Sequence, residues 1–150
     1  MVNIAIMTSD DNNLTEEIVK YFHNYQDAQI SCVISNKDNS IIKKRLRRYK
    51  LKHFTTDRYK EIDKILQETE TNYIMLSDFD QSIPTNFKKK YKYRIFDLQR
   101  DSETMSINFV LSKKNEVIYS TENRSHITIE DLCYKFYPTI VENTIRTLHE

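Results

Sequence analysis

Four aspartates stand where the chain meets or leaves hydrophobic runs, at positions suited to binding charge. Asp10 and Asp11 lie in T8-S-D-D-N-N-L14, just after V2-N-I-A-I-M7; Asp78 follows Y73-I-M-L-S77; and Asp97 lies in I95-F-D-L-Q99. If these runs are parallel strands, the four acids fall at C-terminal strand ends, the edge where α/β sheets gather ligands. Carboxylates this close repel, so the cluster would take a cation or an amine, with Lys37 as the internal compensator. The competing structural reading is favoured: Asp10 and Asp11 cap the following helix, where carboxylates satisfy free N–H groups and suit the helix dipole. A strand-to-helix turn built to hold phosphate would carry glycines for close approach to the backbone. Here Ser9, Asp10, Asp11, Asn12 and Asn13 fill it.

Other reactive side chains form no constellation. Cys32 and Cys133 are far apart, in a predicted strand and a predicted helix, and read as small buried apolar residues. The four histidines are scattered, so no metal site is expected. Two basic stretches were candidates for nucleic acid. In I41-I-K-K-R-L-R-R-Y-K-L-K-H53, Ile42, Leu46 and Tyr49 share one helical face, with Lys43, Lys44, Arg45, Arg47 and Arg48 around the others. An amphipathic helix with a solvated basic back explains that pattern. K88-K-K-Y-K-Y-R94 mixes charge with Tyr91 and Tyr93, as single-strand binders do. It runs straight into a strand that must bury its own apolar residues, so structure is again preferred.

Composition agrees. The chain has 150 residues, 30% of them charged, yet 23 basic against 22 acidic residues leave a net charge of +1. Bulk charge therefore gives no argument for nucleic acid or an acidic membrane. With no long apolar run or signal-like segment, a soluble, cytoplasmic protein is expected, and 150 residues suit one domain, 1–150. Glycine is absent. An average chain of this size would carry about ten, so positions needing a positive φ are expected to fall to Asn or Asp, as in D10-D-N-N13, N36-K-D-N39 and K114-N115.

Apolar spacing predicts strand 2–7, helix 12–24, strand 29–34, helix 38–49, a short strand at 51–55, helix 57–69 and strand 72–77. A short helix through Lys90, strand 93–98, a hairpin of T104–S112 and E116–T121 turning at K113-K-N115, and a C-terminal helix capped by Thr128 and interrupted at Pro138 complete the chain. The alternation implies right-handed crossovers, hence an α/β protein with a mainly parallel sheet and helices on both faces.

The ordered segments together resemble the glycinamide ribonucleotide formyltransferase family, which makes purines with a folate cofactor. I4-A-I-M-T-S-D-D-N-N-L14 is similar to that family's first strand and glycine-rich Ser-Gly-x-Gly-Ser-Asn-Leu phosphate loop. C32-V-I-S-N-K37 resembles its second strand ending in Ser-Asn-Lys. Y73-I-M-L-S-D-F79 through I83-P84 to Y91-K-Y-R-I-F-D-L-Q99 resembles the segment leading to its Asn-Ile-His-Pro, and T104-M-S-I-N-F-V110, V117-I-Y119 and Tyr137-Pro138 follow its C-terminal part. The resemblance implies a formyltransferase-like, Rossmann-like fold ending in a β-hairpin and a helix.

The resemblance also implies lost chemistry. Asp97 and Gln99 replace the family's catalytic Asn and His, Arg100 replaces the proline after them, and the catalytic Asp falls nearest Lys113 and Lys114. Gln is no acid or base near neutral pH, and Asp97 would oppose a developing oxyanion. Ser9 and Asp11 replace loop glycines. A carboxylate about 4 Å from a phosphate costs roughly 1 kcal/mol in water and about 4 at intermediate dielectric. Cys133 stands where a substrate-binding glutamate is usual, and R100-D-S-E103 replaces a longer folate-closing segment. A catalytically inactive member is expected, needing no cofactor and binding a protein partner or a small ligand through the Ser9–Asn13 and Asp78 region. The alternative is an active enzyme using 10-formyltetrahydrofolate.

Overall fold

The computed structural model describes residues 1–9, 13–26, 28–38, 40–92, 94–100, 104–110 and 115–122. The chain divides into two compact units, Met1–Gln81 and Ser82–Glu150.

In the first unit the elements follow in the order β1 (Val2–Thr8), α1 (Asn13–Phe22), β2 (Ala28–Ser35), α2 (Ser40–Leu46), a 3₁₀ turn (Arg47–Tyr49), β3 (His53–Thr55), α3 (Tyr59–Glu68) and β4 (Tyr73–Ser77). The strands lie in the order β3-β2-β1-β4, and the pairs β1–β2, β1–β4 and β2–β3 are parallel. Ile4, Ala5, Ile6 and Met7 are all fully buried, as expected of a central strand covered on both faces. Ile18, Val19 and Phe22 of α1, and Ile62 and Leu66 of α3, recur at helical spacing and are buried too. Right-handed crossovers put α1 and α2 on one face, since both connections step from β1 toward β3. They put α3, which steps back to β4, on the other. Ion pairs from Glu16 of α1 to Arg45 and Arg48 join the first two helical segments.

The expected helix 38–49 is two pieces, α2 and the 3₁₀ turn. Ile42 and Leu46 are buried, Tyr49 is half-buried, and Lys43, Lys44, Arg47 and Arg48 are exposed, so the basic residues form a solvated back. One irregularity interrupts β1–β2 pairing. Ile4 is level with Ile30 but Ala5 with Cys32, leaving Ser31 as an extra residue in β2.

In the second unit, α4 (Thr85–Lys90) starts after Pro84, whose φ of −60° suits a helix entry. Then come β5 (Ile95–Arg100), β6 (Thr104–Val110) and β7 (Asn115–Glu122), with β5–β6 and β6–β7 antiparallel. Tyr91 is buried, its ring 4.7 Å from that of Phe87, which removes it as a stacking platform for bases. Asn115 is not a turn residue as expected: it opens β7, level with Val110. The predicted C-terminal helix, with Thr128, Cys133, Tyr137 and Pro138, lies outside the described residues. Among the described residues no helix is long and apolar enough to cross a membrane.

The positive-φ expectation needs correction. Among the described residues these positions are Lys50 (φ 55°), Glu70 (φ 52°) and Asp78 (φ 47°); Asn36, Lys37 and Asp38 are not among them. Helix termination decides two of the three. Glu70 N–H bonds to Gln67 C=O and Thr71 N–H to Leu66 C=O, the pattern in which the residue after a helix must be left-handed whatever its side chain. Lys50 ends the 3₁₀ turn in the same way.

Candidate functional site

Parallel pairing brings three strand ends level. Thr8 of β1 is in register with Ser35 of β2 and with Ser77 of β4, so the residues that follow each strand meet at one edge. They are Ser9, Asn36 with Lys37, and the turn Asp78–Asp80. Asp78 takes its positive φ there, letting the chain turn back after β4.

Asp80 is the hub of this edge. Its Oδ1 accepts hydrogen bonds from Ser9 Oγ (2.8 Å) and Asn36 Nδ2 (3.1 Å), and its Oδ2 takes Lys37 Nζ at 2.6 Å. The Asp80 backbone N–H returns a bond to Ser9 Oγ at 2.9 Å. Lys37 above all, then Ser9 and Asn36, stabilise the carboxylate and hold its pKa at about 2. Ser9 is buried, whereas Lys37 and Asp80 are exposed, so the ion pair is a surface contact fixed by hydrogen bonds rather than by burial.

Beneath the hub lies a row of buried hydroxyls. Thr15, in the first turn of α1, lies 3.3 Å from Thr8 Oγ1 and 3.0 Å from Ser77 Oγ, and all three side chains are shut from solvent. At the same level Ser35 Oγ is 2.9 Å from His53 Nε2. A serine beside a histidine invites comparison with a nucleophile and its base. Ser35 is only 1% exposed, however, and His53 Nδ1 has no hydrogen-bond partner to orient it. Burial, followed by the Lys43 charge, pushes the His53 pKa down, with Asp38 opposing. The pair is therefore a packed polar contact that no substrate reaches.

Of the residues expected at the site, Ser9 and Asp78 stand at this edge, and Asn13 is the first residue of α1. Asp10, Asp11, Asn12, Lys113 and Lys114 lie outside the described residues. Asp97 and Gln99 belong to β5, level with Asn108 and Ser106 of β6. Lys37, expected as the compensator of Asp10, Asp11, Asp78 and Asp97, pairs at 2.6 Å with a further acid, Asp80. Asp80 and Asn36 were not singled out as site residues. The sequence offers only part of the signal, a second acid just beyond a strand end in D78-F-D80; that this end is level with Ser-Asn-Lys is a matter of register. Among the described residues no group of three or more His, Cys, Asp or Glu could hold a metal ion.

A parallel sheet in this order, with polar groups gathered at its C-terminal edge, defines a doubly wound α/β protein. Solved structures narrow the fold. The chain is similar to phosphoribosylglycinamide formyltransferase from Brucella melitensis, with a TM-score of 0.70 and 13% identity over 98% of this chain and 92% of that one. It is likewise similar to the enzyme of that name from Anaplasma phagocytophilum, with a TM-score of 0.68 and 16% identity over 93% and 81%. A formyltetrahydrofolate deformylase from Pseudomonas syringae matches at 0.67 and 13%, over 95% of this chain and 58% of that one. The chain thus has the formyltransferase fold. No protein-family model matches it, and no curated protein matches it.

Proposed function

We propose that this is a formyltransferase-fold protein without formyltransferase activity, working as a binding or regulatory component. The observation that carries this reading is the Asp80 hub: at the strand-end edge, Ser9, Asn36 and Lys37 already spend donors on a carboxylate of the chain itself. An incoming anion must compete with Asp80 for them and meets its negative charge. The resemblance adds that Gln99, which is no acid or base near neutral pH, stands where the family has its catalytic His, that Asp97, whose charge opposes a developing oxyanion, stands where it has its Asn, and that Lys113 falls nearest its catalytic Asp. By the same resemblance the half-buried Asp97 carboxylate takes the place of a formyl-polarising amide, which speaks against use of a formyl-folate. On this reading no cofactor is needed, the partner is a protein or a small ligand, nucleic acid and membrane are not partners, and the protein works in the cytoplasm.

A steady-state assay with glycinamide ribonucleotide and 10-formyltetrahydrofolate tests the proposal. The expected result is a rate at background. Turnover above about 0.1 per second, roughly tenfold below the slow end of ordinary enzymes, overturns it. The active-enzyme reading then takes its place, supported by the extent of the fold match to phosphoribosylglycinamide formyltransferases.

A further inference from the structure

The opposite edge of the same sheet carries a second feature, outside the reading above. A cleft of about 470 Å³ opens at the N-terminal ends of β1 and β2, within the range of small-molecule sites. Its floor is partly apolar, from Val19, Phe22 and Ile30, and partly hydroxylic: Ser31 Oγ lies 2.7 Å from Thr71 Oγ1, which lies 2.8 Å from Thr69 Oγ1. On the α1 face the wall is aromatic. The rings of His23 and Tyr49 meet edge to face at 5.1 Å.

The rim is charged, with the two signs on different elements. Lys50 and Lys52 come from the connection between the 3₁₀ turn and β3, on the α1 side. Glu68 and Glu70 come from the end of α3, which the crossover places on the other face of the sheet. Among the described residues no ion pair is found for Lys50, Lys52 or Glu70, and Glu68 has an exposed contact of 4.0 Å to Lys64. The basic and acidic rims thus do not neutralise each other across the cleft. The C-terminal end of α3 adds its partial negative charge to the acidic side. Left-handed backbone at Lys50 and Glu70 fixes where each rim begins.

We infer that this cleft is a binding site for a small zwitterion of the amino-acid class, its ammonium against Glu68 and Glu70, its carboxylate against Lys50 and Lys52, and its side chain on Phe22, Ile30 and Tyr49. Opposite charges on facing walls select a ligand that carries both, because a plain amine or a plain acid leaves one wall unanswered. The apolar floor favours an aliphatic or aromatic side chain over a charged one.

Thermal unfolding and calorimetry with the free amino acids, each at up to about 10 mM, test the site. The expected result is saturable stabilisation by at least one apolar amino acid, with its decarboxylated amine and its deaminated acid at least tenfold weaker. Glu70→Gln and Lys52→Met should each weaken binding about tenfold while leaving the circular dichroism of the unliganded protein unchanged. Asp80→Asn, at the other edge, should leave binding as it is. Absence of stabilisation by every amino acid overturns the inference. So does equal binding of the amine or the acid, or affinity indifferent to both rim variants.

Discussion

Thr15→Val isolates the hydroxyl that joins β1, α1 and β4. Thr15 Oγ1 donates to Thr8 Oγ1 at 3.3 Å. A hydroxyl has one proton, so in the 3.0 Å contact with Ser77 the donor is Ser77. Valine preserves the shape but leaves the fully buried Ser77 O–H without this acceptor. An orphaned buried hydroxyl costs about 1–3 kcal/mol, and the added methyl returns about 0.8 kcal/mol by burial, so a net loss of about 0.2–2 kcal/mol is expected. Ser77→Ala alone removes the donor and lets Thr15 keep its bond to Thr8, at a cost of about 0.5–1.5 kcal/mol. The double variant has no orphan, so it should be no worse than Thr15→Val, a coupling of about 1 kcal/mol. Urea unfolding of all four proteins, with unchanged m-values, gives the cycle. Additivity within about 0.5 kcal/mol would refute the hydroxyl row as a coupled unit.

At the hub, a carboxyl NMR titration should find Asp80 at about 2 against its ordinary 3.8, with Lys37→Met raising it more than Ser9→Ala or Asn36→Ala does. Because the folded value is the lower one, the hub's stabilisation is complete above pH 3.8, declines as pH falls through about 2, and is missing from Asp80→Asn at neutral pH. His53 has a depressed folded value as well, so its contribution is full above its ordinary 6.5 and falls away as pH drops below that; proton NMR should place its titration below 6.5, with Lys43→Met moving it upward. Glu70→Gly should raise stability by about 0.5–1 kcal/mol in thermal or urea unfolding. A non-glycine residue costs about 1–2 kcal/mol in the left-handed region, and glycine's own entropy cost offsets part of that gain. Loss of stability in Glu70→Gly would show that its side chain holds the helix end.

The parallel half of the fold was legible because its strands are continuous apolar runs and its helices repeat at helical spacing: Ile4 to Met7, Ile18 with Phe22, and Ile62 with Leu66 are buried as their patterns predict. Boundaries moved where short-range chemistry decided, as at Leu46, where α2 tightens into a 3₁₀ turn. The edge of the site was legible in Ser9, Lys37 and Asp78. Its hub was not, because the role of Asp80 depends on three strands ending level, a matter of register between residues some 70 positions apart. Lys50 and Glu70 in the left-handed region were missed for a related reason. The geometry of a helix end outranks the preference of the side chain that lands there.

The extra residue Ser31 has a reach beyond its own bulge. Before it, β1 and β2 are offset by the spacing of Ile4 and Ile30; after it, by one residue more, and this later offset is what sets Ser35 beside Thr8. Without the bulge Ile34 would stand there, and Asn36 and Lys37 would project about 3.3 Å further along the strand axis, out of line with Asp80. Side-chain substitution cannot produce that shift. Nor can deletion of Ser31, which would leave Ile30 level with Ile4 and Cys32 level with Ala5, so that the ladder closes without a bulge and Ser35 stays beside Thr8. The alignment of the C-terminal edge is thus set by the count of residues from Cys32 to Ser35, so a change of length should be tolerated at the bulge, Ser31, and not in the stretch that follows it.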